Sequence, residues 1–268
     1  VLVVVDQFEE IFRFKRMADP DEAAAFVKLL LQAAADPSSP VSVVITLRSD
    51  TLGACADFRD LPEAASRGGY LVPRLKRDQR KEAIVKPVEL RGARIAPRLV
   101  QRLLNDVSDD FDDLPVMQHA LSRTWQQWAQ STGGSRPIDL EDYLATGGAA
   151  NALNNHADEA WQSLGPLGAD GGTVERVFRA LTERVAEGTE VRRPLDFAQL
   201  CAICGGGTPA GDAAVTQVVE RYRRADTAFL VPGAERPLAD NPVIDISHES
   251  LMRQWARLRG WVQAEVDA

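Results

Sequence analysis

The chain opens on Val1-Leu2-Val3-Val4-Val5, an unbroken apolar run that is mostly β-branched and stops at Asp6. Such a run predicts a strand buried on both faces, the pattern of a parallel sheet, because a strand with one wet face alternates polar and apolar residues. A parallel neighbour needs a crossover. Asp19-Pro20-Asp21-Glu22 supplies its start: a capping Asp, Pro at the first helical position, and acids at the positive end of the helix dipole. Phe26, Leu29, Leu30 and Ala33 recur at helical spacing, and Asp36-Pro37-Ser38-Ser39-Pro40 ends the helix. Val41 to Leu47 is a second strand, which makes a right-handed βαβ unit. Tyr70-Leu71-Val72 offers a short third strand. A strand buried on both faces needs neighbours, so the sequence reads as a fragment of something longer.

From Lys76 the pattern turns helical. Asp78 to Lys86 forms one helix, ended by Pro87, which disfavours helical geometry in the residue before it. Arg98 to Val107 forms another, and the helix after Pro115 buries Met117, Leu121, Trp125 and Trp128. Val174, Val177, Phe178, Leu181 and Val185 mark a further helix. Phe197 to Ile203 and Ala213 to Arg224 give two short ones around Gly205-Gly206-Gly207. Ala228 to Val231 and Val243 to Ile246 read as strands, and Leu251, Trp255, Leu258 and Val262 as the closing helix. Helices followed by a hairpin resemble a winged helix. The expected fold class is α/β plus α: a partial parallel sheet at 1–75, a helical domain at 76–150 and a winged-helix domain at 151–268.

Composition narrows the function. With 31 Lys and Arg against 39 Asp and Glu, the net charge of −8 counts against nucleic acid, whose affinity comes mainly from neutralised phosphates. Three cysteines cannot build a disulfide framework, which fits a reducing, cytoplasmic setting. No apolar run nears the roughly 20 residues of a spanning helix, and the opening lacks the positive charge of a secretory signal. Cys201-Ala202-Ile203-Cys204 has the spacing of half a zinc site but lacks a second half, so it reads as a half-buried helix. Arg221-Tyr222-Arg223-Arg224 reads as a solvated basic face.

The strand-ending Asp6 falls at the carboxyl edge of the sheet, where ligands of open α/β folds bind. In P-loop NTPases that carboxylate is the Walker B aspartate, which holds magnesium. Glu9 and Glu10 follow it closely. The second strand ends in Thr46-Leu47-Arg48-Ser49-Asp50, and a guanidinium at the same edge can sense a γ-phosphate through paired hydrogen bonds. An ion pair with Asp50 is the structural alternative.

Four segments, VLVVVDQFEEIF, VVITLRSD, LPVMQHAL and ISHESLMRQWARLRGWV, taken in order, resemble the STAND-class signal-transduction ATPases, specifically the novel STAND NTPase 1 family. The resemblance implies an ATP/ADP-dependent switch in which a nucleotide-binding core, a helical domain and a winged helix close over nucleotide and Mg2+. It implies an upstream effector, a downstream sensor such as WD-repeats, and nucleotide-driven homo-oligomers. It assigns magnesium to Asp6, the general base to Glu9 or Glu10, and γ-phosphate sensing to Arg48. By the same likeness Pro115 packs on adenine or ribose, and His248 donates to the β-phosphate of ADP. The plain alternatives are a proline in a first helical turn and a histidine beside a helix capped by Ser247.

The sequence departs from that pattern in three places. No G-x-x-x-x-G-K-[ST] loop occurs, so these residues alone are expected to bind ATP weakly and hydrolyse none; the family layout places that loop before Val1. Gln7 stands where many active ATPases carry an acid, which implies slow turnover in a longer parent. Asp113 stands where the helical-domain motif has glycine. Two other classes compete: a winged-helix DNA-binding transcription regulator, and a nucleotide-independent interaction scaffold.

Overall fold

The structure is a computed structural model. It describes all residues except 18, 37, 39, 107–112, 167–171, 185–189 and 267–268. The chain divides into two units, Val1–Arg74 and Leu75–Ala268.

In the first unit β1 (Leu2–Val5) pairs in parallel with β2 (Ser42–Ile45), from Leu2 opposite Ser42 to Val5 opposite Ile45. Two helices lie between them in sequence, α1 (Glu10–Met17) and α2 (Pro20–Ala35). The Asp19 carboxylate accepts from the N–H groups of Asp21 and Glu22 at 2.9 and 3.1 Å, a cap that fixes where α2 starts. A 3-10 segment (Ser49–Asp57) and α3 (Leu61–Gly68) complete the unit around Phe8, Phe12, Ala23, Val27, Phe58 and Leu61.

Three expectations need correction here. The strands are not buried on both faces: Val5 and Ile45 pack on the core, while Leu2 is 64% and Val4 56% exposed, because α1 and α2 do not cover that side of the sheet. The inward face of α2 carries Ala23 and Val27 rather than Phe26 and Leu29, which point outward. From Ala23 to Ala35 only Lys28 and Gln32 are polar, so its periodicity selects no single face. Tyr70-Leu71-Val72 pairs with no strand among the described residues and is exposed along its whole length.

The second unit has two cores. The first is built by α4 (Arg77–Leu90), α5 (Pro97–Asp106), α6 (Asp113–Thr132), α7 (Leu140–Ala145) and α8 (Gly148–Ser163) around Ile84, Leu99, Leu103, Met117, Trp128 and Tyr143. Pro87 does not end α4. It removes one backbone donor, that to the Ala83 carbonyl, while Ile84 and Val88 stay buried on either side and hold the helix through it.

The second core gathers α9 (Gly172–Ala180), α10 (Phe197–Cys204), α11 (Pro209–Arg223), α12 (Ser250–Gln254) and α13 (Ala256–Val266). A hairpin of β3 (Thr182–Arg184) and β4 (Glu190–Arg192) takes the place of the expected last turn of α9, whose Val185 lies outside the described residues. Three short strands, β5 (Leu195–Asp196), β6 (Leu230–Val231) and β7 (Val243–Ile246), form an antiparallel sheet in the order β5-β7-β6. In this core Phe178 meets Tyr222 and Trp255 edge to face, with ring centroids 4.8 and 4.9 Å away. The closing helix is broken at Trp255, whose ψ of 105° is extended. The break is held from α8: Asp158 accepts the Trp255 indole N–H, and the Asn154 side chain accepts the Ala256 N–H, both at 2.9 Å. The basic run is not a solvated face, since Tyr222 and Arg223 are buried and Arg223 spends its guanidinium on Glu220 and on the Gly233 and Arg236 carbonyls.

Candidate nucleotide site

The sheet edge of the first unit is assembled from the two strand ends. Because β1 and β2 run parallel, Asp6 and Arg48 leave the sheet at the same, carboxyl edge. Thr46 ties that edge together. Its N–H donates to the Val5 carbonyl at 3.0 Å and its carbonyl accepts from Phe8 at 2.9 Å. Its hydroxyl accepts from the Gln7 N–H at 2.9 Å and donates to the Asp6 carboxylate. Gln7 turns the chain away from the strand at φ +52°, a left-handed conformation that a non-glycine residue enters only when its surroundings hold it. Sequence reasoning missed Thr46; the signal was a hydroxyl one place beyond the last paired residue of β2, level with Asp6 across the ladder.

The two glutamates are unlike. Glu10 is the first residue of α1, half-exposed, with its carboxylate 3.7 Å from Arg13. Glu9 sits in the turn between Asp6 and α1, and its Oε2 is fully buried with no hydrogen-bond partner among the described residues. A buried carboxylate oxygen without a donor is costly, and a cation or a bound water satisfies it. The Asp6 carboxylate at the strand end offers the oxygen ligands that suit a hard cation such as Mg2+.

Arg48 is held by the neighbour expected as its alternative. Its Nε and Nη2 donate to the two Asp50 carboxylate oxygens at 3.1 and 2.8 Å. The guanidinium keeps the Asp50 carboxyl below the usual carboxylate range. The pair is about half-exposed and of modest strength, so the fork of donors is not locked to Asp50.

The other two predicted residues lie in the second unit. Pro115 falls in the first turn of α6, half-buried, where a missing N–H leaves nothing unsatisfied, and Val116 and Met117 after it enter the core. His248 is exposed on the turn before α12. Its Nδ1 accepts the Ser250 N–H at 3.1 Å and lies 2.6 Å from the Ser250 hydroxyl. An accepting Nδ1 places the proton of the neutral ring on Nε2, so Nε2–H is the donor. The His248 ring itself accepts the first N–H of α12, and the residue at the cap position is Glu249, not Ser247.

A second histidine feature also escaped sequence reasoning. His119 of α6 and His156 of α8 meet at 3.3 Å, Nε2 to Nδ1, with the Phe229 ring 5.4 and 5.1 Å from them. Burial, with help from the Arg123 charge, pushes His119 down to about 4 and His156 down to about 3. The pair is a neutral element of the packing. Among the described residues no three metal-ligating side chains come together, and Cys201 and Cys204 are buried free thiols.

The family model for Novel STAND NTPase 1 matches residues 1–268. No curated protein matches the chain. No solved structure matches it either. No helix among the described residues is long and apolar enough to cross a membrane.

Proposed function

The chain belongs to the Novel STAND NTPase 1 family, which makes it a STAND NTPase-type signalling module, and we propose that it works as an ATP/ADP-dependent switch. The observation that carries this reading is the shared sheet edge: Asp6 directly follows β1 and Arg48 lies three residues beyond β2, its parallel neighbour, with Thr46 holding Asp6 in place. That is where nucleotides bind in open α/β folds.

In this reading Asp6 holds Mg2+, and Glu9 rather than Glu10 orients the attacking water, because Glu9 has the unpartnered buried oxygen. Bound Mg2+ supplies charge neutralisation at the phosphate oxygens. Arg48 exchanges Asp50 for a γ-phosphate, Pro115 packs on the base or ribose, and His248 gives its Nε2–H to a phosphate oxygen. Gln7 cannot take a proton, so turnover is slow and the bound state is long-lived. We assign residues 1–75 to the nucleotide-binding core, 76–150 to a helical domain and 151–268 to a winged-helix domain. The order α9, β5, α10, α11, β6, β7, with β7 central in its sheet, supports the last of these. On the family layout a phosphate loop and an effector domain would lie upstream of these residues, and a sensor such as WD-repeats downstream. Exchange of ADP for ATP releases the closed state and lets protomers assemble.

The test is ADP release from the parent protein with its phosphate loop. His248→Ala is expected to speed release about tenfold or more, the effect of one charge-assisted hydrogen bond. Unchanged release overturns the role of His248. The DNA-binding reading has no support at the basic run, whose Arg221, Arg223 and Arg224 are engaged with Ser163, Glu220 and Asp226.

A further inference from the structure

The first core of the second unit leaves a groove between α4 and α6. It holds about 490 Å3 and its walls include Ile84, Pro87, Val88, Arg91, Leu121 and Trp125. It runs along α4 from Ala83 to Arg91, the residue just after the helix, eight steps or about 12 Å. That is two turns, the length over which an amphipathic helix presents its i, i+3, i+4 and i+7 side chains. Pro87 helps shape the wall, because its ring cannot lie against the Ala83 carbonyl as an ordinary helical residue would. Leu90, beside the groove-lining Arg91, is 87% exposed.

Arg91 is the one charged residue among the described residues of the lining, and the stretch of chain that carries it runs against the charge of the molecule. Residues 74 to 102 carry ten Lys and Arg against three Asp and Glu, within a chain of net charge −8. Some of these cations are engaged, as Lys86 is with Glu82, Arg98 with Asp139 and Arg102 with Asp106. Lys81, Arg91 and Arg94 are exposed and have no carboxylate partner among the described residues. A concave, largely apolar wall with the unpaired Arg91 at its end, and Arg94 three residues further along the chain, is complementary to an apolar stripe flanked by carboxylates.

We propose that this groove docks an acidic amphipathic helix of a partner protein, its apolar stripe against Trp125, Leu121 and Val88 and its carboxylates on Arg91 and Arg94. A lipid surface presents no ridge to fill a concave floor, and the acidic remainder of the chain repels a nucleic-acid polyanion at long range. The occupant is therefore a folded peptide segment carrying negative charge.

The test uses the full chain and a fluorescein-labelled model peptide, apolar at i, i+3, i+4 and i+7 and glutamate-rich elsewhere, followed by anisotropy. The expected result is saturable binding that weakens with salt. A peptide of scrambled pattern and a lysine-rich counterpart bind at least about tenfold more weakly. Arg91→Glu, and Ser122→Trp from the exposed α6 rim of the groove, each weaken binding about tenfold or more. Arg94→Glu is the third variant should either of these lose its circular-dichroism signature. Indifference to peptide pattern, or to all folded variants, overturns the proposal. So does displacement of the peptide by phosphatidylserine vesicles, which assigns the groove to lipid. Arg91-dependent dimerisation without peptide, seen by sedimentation at the same concentration, assigns it to a second copy and overturns it equally.

Discussion

Thr46 shows how one side chain organises a functional edge. Its hydroxyl is at once acceptor for the Gln7 N–H and donor to Asp6, so it fixes both the left-handed turn at Gln7 and the orientation of the carboxylate. Thr46→Val keeps the shape of the side chain and removes both bonds. We expect a loss of about 1 to 2 kcal/mol in urea denaturation at neutral pH, with Thr46→Ser close to wild type. An unchanged midpoint would mean that water replaces both bonds at no cost. The carboxylate at Asp6 was legible in the sequence because it ends an apolar run. The difference between Glu9 and Glu10 was not, because it depends on which oxygen the fold buries. The tautomer of His248 was equally hidden, since it follows from a cap made by the ring itself.

Elements were legible where periodicity was unambiguous and failed where a tertiary bond overrode it. Leu251, Trp255, Leu258 and Val262 are spaced as one helix, and all four are buried, yet the helix breaks in their midst because α8 offers Asn154 and Asp158 as better partners. Asn154→Ala removes the acceptor of the Ala256 N–H at the start of α13 and should cost about 1 kcal/mol, the value of a lost N-terminal cap. A thermal melt checks it; a Tm equal to wild type would show that the break at Trp255 is set without Asn154. The join between α7 and α8 makes a second case. Gly147 and Gly148 both have positive φ, at +94° and +64°, and a Cβ on Gly147 would lie 2.5 Å from the Asn155 amide nitrogen. Gly147→Ala is expected to destabilise by about 1 to 2 kcal/mol from backbone strain, with crowding added. The helix α8 itself was not foreseen, because its small, polar-rich sequence from Gly148 to Ser163 has no apolar stripe of large residues. It lends Ala149 and Ala152 to one core and Ala157 and Ala160 to the other, where smallness is what close packing needs.

At the scale of the molecule, the buried histidine pair sets the response to acid. An unfolded histidine titrates near about 6.5, whereas His119 and His156 are pushed down to about 4 and about 3. Between roughly pH 6.5 and 4 the unfolded chain therefore binds protons that the folded chain refuses, and stability falls as pH falls. Groups facing the pair include Arg123 of α6 and Arg221 of α11, which oppose protonation, and Asp226, which favours it on His156. Asp50 and Asp139, held down by Arg48 and Arg98, lose their contribution only below about pH 4, so the two windows separate. Tm measured from pH 7 to 4.5 should drop steadily in the wild type and less steeply in His156→Gln; parallel slopes would contradict the assignment. The family order of motifs was legible along the whole chain, while the two-core build of the second unit was not, since only packing reveals which helix serves which core. The account as a whole stands on Asp6 as the magnesium-holding end of β1. The direct measurement is ADP affinity with Mg2+ and with chelator, in wild type and Asp6→Ala, of the longest protein that carries this chain. We expect wild-type binding to tighten at least about tenfold with Mg2+ and Asp6→Ala to lose that gain while still folding. Equal affinities with and without Mg2+ in the wild type, or an undiminished Mg2+ effect in Asp6→Ala, would contradict it.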